Sequence, residues 1–418
     1  MKRERGHKVR LYPTKDQLRE LEIQGHAARA LWNVLHAWWI MASENRRVSL
    51  ADADTAIRQA RKDLPWLAAL PAQAAQQVLK AYFRAWQNCW AGRAGPPRFK
   101  ARLRSRMCVD VPQGRDLAIQ RLTRTWGIVK VPKIGVIRFR WTKDLPVGKH
   151  ADAVNRITGA RLVREANGWH VVLRVRTDVK EPAPHVGPGV GIDRGVAKPL
   201  ALSDDTFREH GPWISEGEAG RLRRLERTAA RQRRHRTPGQ ATSNRLRRTY
   251  DQIARVHAKA KRRALDWQHK VTHALAEEFG VVGVEDLHIT SMVRSARGTV
   301  DSPGTNVKQK AGLNRAIAGQ AWGRTITLLE YKLADRGGHL VRVPAPYTSQ
   351  RCSRCQAITE GNRESQNRFA CKAPGCGYAA HADTNAARNI EHAVKKQAPQ
   401  DIVGARTWSP RRQAGCEA

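Results

Sequence analysis

The chain has 418 residues, and its 76 Lys and Arg against 37 Asp and Glu leave a formal net charge of +39. Such self-repulsion calls for a polyanionic partner, and nucleic acid is the first candidate because each neutralised phosphate releases condensed counterions; a basic membrane-surface protein would need an amphipathic or lipidated anchor. A hydrophobic share of 41% excludes a disordered basic tail as the whole chain, and no signal-like or bilayer-spanning apolar run occurs, so a cytoplasmic location is expected.

In chain order, HKVRLY at 7–12 alternates as a short strand that Pro13 stops. Thr14 with Gln17 has the capping-box pattern of a helix start, and Leu18, Leu21, Ala28, Leu31, Leu35 and Trp38 then recur at helical spacing. Two further helical stretches, at about 51–60 and 71–90, complete a helical domain over 14–92. Trp32, Trp38, Trp39, Trp86 and Trp90 could stack on nucleotides, but their helical spacing reads as core. After the break GRAGPPRFKAR at 92–102 the period becomes two, with strand candidates in MCVDVP, LAIQR, GIVKVPKIGVIRFRW, ARLVREANGW and HVVLRVRTDV. These suggest a small β-barrel over 93–182, which the first strand at 1–13 joins.

EPAPHVGPG at 181–189 is a linker, and VGID and PLALSD follow as strands. Residues 216–280 read as two long basic helices broken by TPGQATSN. Segment 221–236 holds eight Arg against one Glu, with a narrow stripe of Leu222, Leu225 and Ala229. Nothing local neutralises Arg221, Arg223, Arg224, Arg227, Arg231, Arg233 and Arg234, which points them at nucleic acid. VVGVEDL is a buried strand ending in two acids. Residues 288–312 read as a polar loop acting as a lid, 313–336 as a helix, HLVRVPA as a strand, 385–396 as a helix, and 401–418 as a disordered tail.

Cys352, Cys355, Cys371 and Cys376 form C-x2-C-x15-C-x4-C. Two close pairs of thiolates suit one tetrahedral Zn2+, and a closed four-Cys site is structural because no position is left for a substrate water. Cys89, Cys108 and Cys416 lack partners by spacing and read as ordinary thiols. Asp193 ends the strand GID, Glu285 ends VVGVE, and Asp383 stands in HADTNAARNI at a helix start. Singly, Asp193 reads as a turn residue and Asp383 as an N-cap, whereas Glu285, a charge at the end of a buried strand, needs a partner or a metal. Together, in so basic a chain, they make a set that can hold two Mg2+ ions and clamp the attacking water and leaving oxygen of a phosphodiester.

GIDRGVAKPLALSD, GVEDL and HADTNAARNI, with the cysteines between the last two, resemble the split RuvC-like nuclease of transposon-encoded TnpB proteins and of miniature type V CRISPR effectors. KVRLYPTKDQ, ARALWN, LPAQAAQQVLKAYFRAW, GPPRFKAR and LLEYKLADRGGHLVRVPAPYTSQRCSRC extend the likeness over roughly residues 7–395. The resemblance implies a multidomain α+β fold. A split β-barrel wedge domain would carry a helical recognition insertion. An RNase H-like α/β nuclease would follow over 183–348 and 379–400, interrupted by a zinc ribbon at 349–378. It implies Asp193, Glu285 and Asp383 as the catalytic acids. It also implies a guide RNA, double-stranded and displaced single-stranded DNA as partners, no membrane, a monomer or homodimer, and recognition of a short DNA motif beside the target. Many relatives carry Asp-Arg-Asp before Asn-Ala-Ala; here the residues are His381, Ala382 and Asp383. A guided binder that silences without cutting, and a zinc-ribbon RNA-binding protein with no guide, are the competing readings.

Overall fold

A computed structural model describes residues 2–404 except 43–47, 103–104, 235–236, 238–239 and 300, with backbone alone at 149 and 398–404. Cys416 and most of the expected tail lie outside the described residues. The chain divides after Lys180 into two units, two residues before the expected boundary.

The first unit opens with β1 (Lys2–Tyr12), longer than the expected 7–12. Helix α1 (Lys15–Met41) starts as its capping box dictates, with the Thr14 hydroxyl accepting from the Gln17 N–H and the Gln17 amide accepting from the Thr14 N–H. Helices α2 (Leu50–Asp63) and α4 (Ala72–Trp90) match expectation, and the four-residue α3 (Pro65–Ala68) between them has no periodicity to reveal it. Then come β2 (Cys108–Val111), β3 (Gln120–Arg121), β4 (Trp126–Val131), β5 (Gly135–Arg140), β6 (Arg156–Glu165) and β7 (Gly168–Asp178). The strand order is β2-β6-β7-β1-β5-β4-β3, with β1 at the centre. This ladder is open, since β2 and β3 end it at opposite edges.

Helices and sheet share one core. Leu21, Ala28, Leu31 and Leu35 of α1 are buried with Val129, Phe139, Leu162 and Trp169 of the strands, whereas Leu18 stays 40% exposed. Helix α1 crosses the sheet at Gly25, where a Cβ would stand 3.0 Å from Met107 Sδ and 3.2 Å from the Trp169 ring.

The second unit is built on β8 (Gly189–Asp193), β9 (Leu200–Leu202), β10 (Phe207–Arg208), β11 (Val281–Glu285) and β12 (His339–Val343), ordered β10-β9-β8-β11-β12. Strands β8, β11 and β12 run parallel, and β9 and β10 fold back antiparallel. Helices α5 (Glu216–Arg234) and α6 (Asn244–Glu278) take the expected places. The expected loop 288–312 is shorter, because α7 (Ile289–Met292) and the start of α8 (Val307–Gln320) occupy it. The helix expected over 313–336 is two, α8 and α9 (Trp322–Ala334). They part at Ala321, whose φ of 50° turns the chain between Gly319 and Gly323, the two glycines that flank the break. A hairpin of β13 (Arg368–Ala370) and β14 (Ala379–His381) precedes α10 (Ala382–Gly404), which begins three residues before the expected 385–396 and continues past 401.

Before their terminal acids β8 and β11 are apolar, because both faces are covered, whereas β12, at the edge, carries His339 and the exposed Arg342. Val271, Leu275 and Phe279 of α6 and Leu329 and Leu333 of α9 pack on one face. Ile390 and Val394 of α10 cover Val341 and Val343 on the other. Two glycines let α10 approach that closely. A Cβ on Gly191 would lie 2.0 Å from the Ala387 carbonyl, and one on Gly283 would lie 2.4 Å from Val394 Cγ2. Any side chain at Gly191 would displace the helix that carries Asp383.

Candidate active site and cysteine knuckle

Register brings the first two acids together. Ile192 of β8 is level with Val284 of β11, so Asp193 and Glu285 end neighbouring parallel strands side by side. The carboxyl end of parallel strands is where open α/β sheets place their ligand crevice. Asp383, in the first turn of α10, reaches the same point from across β8, close enough that its charge acts on Asp193. All three sequence-predicted acids therefore converge.

Their electrostatics follow from crowding. Burial, then the charges of Glu285 and Asp383, push the Asp193 carboxyl up to about 7. Burial also raises Glu285, opposed by the Thr348 hydroxyl, which donates to Glu285 Oε1. Among the described residues only the four cysteines bring three or more ligand atoms within 4.8 Å of one another, so the carboxylates stand wider than that.

A folded-state pKa above the unfolded one means charged Asp193 destabilises the metal-free fold. That cost is fully present above pH 7, shrinks as the folded state takes up a proton below 7, and vanishes below the ordinary carboxylate range. Asp193→Asn is therefore expected to stabilise the protein in Mg2+-free buffer at pH 8 by about 1–3 kcal/mol, with the gain shrinking towards pH 5. Denaturant melts at the two pH values check the magnitude and the sign.

Two arginines that the sequence reading missed complete the cluster. Arg194 is 6% exposed, its Nη2 donates to the Glu285 carbonyl and its Nε has no partner. A charged residue directly after a buried strand was its only signal. Arg363 lies 3.3 Å from Asp383 Oδ1, and its charge also bears on Asp193 and Glu285. It comes from the segment between the cysteine pairs, and nothing in GNRESQNR singles it out. So although Ala382 stands where many relatives have Arg, a guanidinium still faces the acids. Beside Glu285 a cavity of about 600 Å3 opens, lined by Asp286, His288, Met292, Arg342, Pro344 and Gln397.

The four cysteine sulfurs lie within 4.8 Å of one another, with Cys352–Cys376 at 3.8 Å and Cys355–Cys371 at 3.6 Å. A tetrahedron with Zn–S near 2.3 Å has edges of about 3.8 Å, so thiolates so spaced fit one Zn2+. Asn362, 1% exposed, closes the knuckle with its Nδ2 on the Gln350 carbonyl and its Oδ1 accepting from Lys372 N. Helix α10 holds it through Asn385, which accepts from Ser353 N and donates to the Arg351 carbonyl, and through Asn389, which donates to the carbonyls of Thr348 and Arg351. The knuckle is thus tied to the acids at three points: Thr348, Arg363 and the helix of Asp383.

Helix α5 presents Arg221, Arg223, Arg224, Arg227, Arg231, Arg233 and Arg234 to solvent, while Leu222 and Leu225 are half-buried and Ala229 is buried. Among the described residues none of the seven forms an ion pair with an acid. Of the two acids in the first turn of this helix, Glu216 and Glu218, the second is taken by Arg263 and Lys259 of α6, which hold it far below its usual range. Of the five tryptophans read as core, Trp32 is buried and Trp38, Trp39 and Trp86 are half-buried, but Trp90 is 58% exposed. No helix among the described residues is long and apolar enough to cross a membrane.

Three families match segments of the chain: "Helix-turn-helix domain" over 1–39, "Probable transposase" over 170–296, and "Cas12f1-like, TNB domain" over 322–390. The first segment is here a strand and one long helix. The putative RNA-guided DNA endonuclease InsQ of Escherichia coli is 35% identical over 325 residues, 78% of this chain and 75% of that one. A putative RNA-guided DNA endonuclease of Streptomyces pristinaespiralis is 28% identical over 92% of this chain and 88% of its own. Among solved structures, a Cas12f1–sgRNA–target DNA complex is 17% identical, covering 90% of this chain and 82% of that one with a TM-score of 0.49. On the strength of the InsQ match and the three families, the chain belongs to the TnpB-like family of OrfB IS605 and Cas12f1-like proteins.

Proposed function

We propose that this protein is an RNA-guided DNA endonuclease that hydrolyses phosphodiesters at Asp193, Glu285 and Asp383. The observation that carries the reading is the convergence of these carboxylates at the ends of β8 and β11 and the start of α10. The sheet order supports an RNase H-like (RuvC-like) nuclease over 183–348 and 379–400, with 349–378 as a zinc ribbon holding one Zn2+. In the first unit, the open ladder of 1–13 and 93–182 is the wedge domain and 14–92 the recognition domain.

The three carboxylates are hard oxygen donors, Asp193 and Glu285 are buried, and the charges of the other two crowd Asp193, a setting that calls for a cation and fits Mg2+. Two Mg2+ ions held there would supply an activated water and neutralise the leaving 3′-oxygen. The protein does the rest. Asp193 and Glu285 are fixed by strand register, and the Thr348 hydroxyl holds the Glu285 carboxylate in one rotamer. Arg363, drawn in by Asp383, aims a guanidinium at the non-bridging phosphate oxygens as charge builds on them. The exposed arginines of α5 carry the displaced strand by its phosphates. Sequence is read by pairing of the guide RNA with the target strand, after a short motif beside the target admits the protein. The site of action is the bacterial cytoplasm, at the chromosome.

All three acids are present, which favours cutting over silent binding. The purified ribonucleoprotein should linearise a plasmid bearing the guide-matched target in Mg2+ and leave it intact without the ion; cutting without Mg2+ would sink the site assignment. Arg363→Ala should slow single-turnover cleavage roughly 10- to 100-fold with target affinity unchanged, and Arg363→Lys should fall between.

A further inference from the structure

The indoles of Trp39, Trp86 and Trp90 meet near the C-terminal ends of α1 and α4. Trp39 and Trp86 are 5.0 Å apart between ring centroids with 26° between planes, Trp86 and Trp90 are 5.9 Å apart at 26°, and Trp39 and Trp90 are 6.1 Å apart. Trp86 and Trp90 share a face because they are one helical turn apart. The inner side is braced: Trp39 meets Tyr82 and Phe83 edge-on, and the Trp86 N–H donates to Tyr82 Oη at 2.9 Å. The outer side is open, with Trp90 58% exposed. A braced aromatic group that leaves one large ring uncovered is built for contact.

Charge selects the partner. From Leu64 to Val109 there is no Asp or Glu and there are eight Lys or Arg. Arg84, Arg93 and Arg98 among them are exposed. Helix α1 carries no acid from Ile23 onward. The neighbouring helix α2 carries Asp52, Asp54 and Asp63 against Arg58, Arg61 and Lys62; Asp52 is engaged at its N-cap Ser49 and Arg58 holds Asp54. A second copy of this face would set like charges against like. A polyanion with aromatic faces is complementary in both respects. We propose that Trp90, backed by Trp86 and Trp39, is a stacking platform for an unpaired base of single-stranded nucleic acid, with the flanking arginines on its phosphates. The proposal shares with the proposed function only the premise that the protein binds nucleic acid. It involves neither the acids nor the arginines of α5.

The test uses full-length protein freed of bound RNA, carrying Asp193→Ala so that cutting plays no part, in Mg2+-free buffer. The probes are dT20 and a 20-mer of abasic sites with the same charge. Adding Trp90→Ala should weaken dT20 binding roughly 5- to 100-fold, the span of one lost stack, and leave abasic binding unchanged. Trp90→Tyr, which keeps a ring, should retain most of the affinity. Equal losses on both probes, no loss on dT20, or a tyrosine variant as weak as the alanine one would overturn the proposal. So would a Trp90→Ala change that alters only the oligomeric state in sedimentation, which would give the patch to a second copy.

Discussion

Asp193→Ala lowers Mg2+-dependent cleavage of a guide-matched duplex about a thousandfold or more and leaves guide-dependent target binding within a few-fold of wild type. The size follows from what the residue does. Asp193 is the most central of the three carboxylates, since the other two both act on it. Its loss would remove one of the three carboxylates that would hold the proposed ions, and metal-supplied charge stabilisation is worth several kcal/mol, where about 4 kcal/mol is already a thousandfold. Binding survives because the guide pairing and the arginines of α5 lie elsewhere. The substitution also relieves buried repulsion, so the variant folds at least as well as wild type. Single-turnover cleavage beside a filter-binding isotherm measures both quantities. Cleavage within tenfold of wild type would move the reaction away from Asp193.

Cys371→Ser with Cys376→Ser is the second large effect. Cleavage should fall by about a hundredfold or more although no cysteine touches the scissile phosphate. A structural four-Cys zinc site contributes folding energy outright, and loss of two thiolates would release the proposed Zn2+ and loosen the knuckle with it. Thr348 then no longer fixes Glu285, and Arg363 no longer stands by Asp383. Limited proteolysis within 349–378 of the variant, with the rest of the chain intact, reports the local unfolding. Replacing Zn2+ by Cd2+, which thiolates also hold, should leave the rate within a few-fold, whereas replacing Mg2+ by Ca2+ should not. A double variant with wild-type cleavage would mean the knuckle has no part in arranging the acids.

What the sequence made legible was what repeats or stands alone against its surroundings. The strands of the first unit showed in period-two runs, and those of the parallel sheet in short apolar runs such as VVGVE. The capping box at Thr14 placed the start of α1, and the cysteine spacing placed the knuckle. The acids at 193 and 285 stood out because charge ends an apolar run there. What stayed hidden was set by contacts distant in sequence. The left-handed turn falls on Ala321 itself, and the glycines on either side of it, Gly319 and Gly323, sit inside helices where they do not fix the break. The two-residue β10 is too short for any period. Arg363 meets Asp383 only because Asn385 and Asn389 dock the knuckle on α10. Trp90 shares the spacing of buried neighbours, and only the end of the helix beneath it leaves it exposed.

The most direct test of guided cleavage is retargeting. The protein is expressed with its native flanking DNA, the RNA that copurifies is sequenced, and its variable segment is replaced by one matching a new site. The account predicts one discrete RNA and a cut that moves to the new site, in Mg2+ and only with Asp193 intact. A mixture of host rRNA and tRNA, or a cut whose position ignores the RNA supplied, would contradict it.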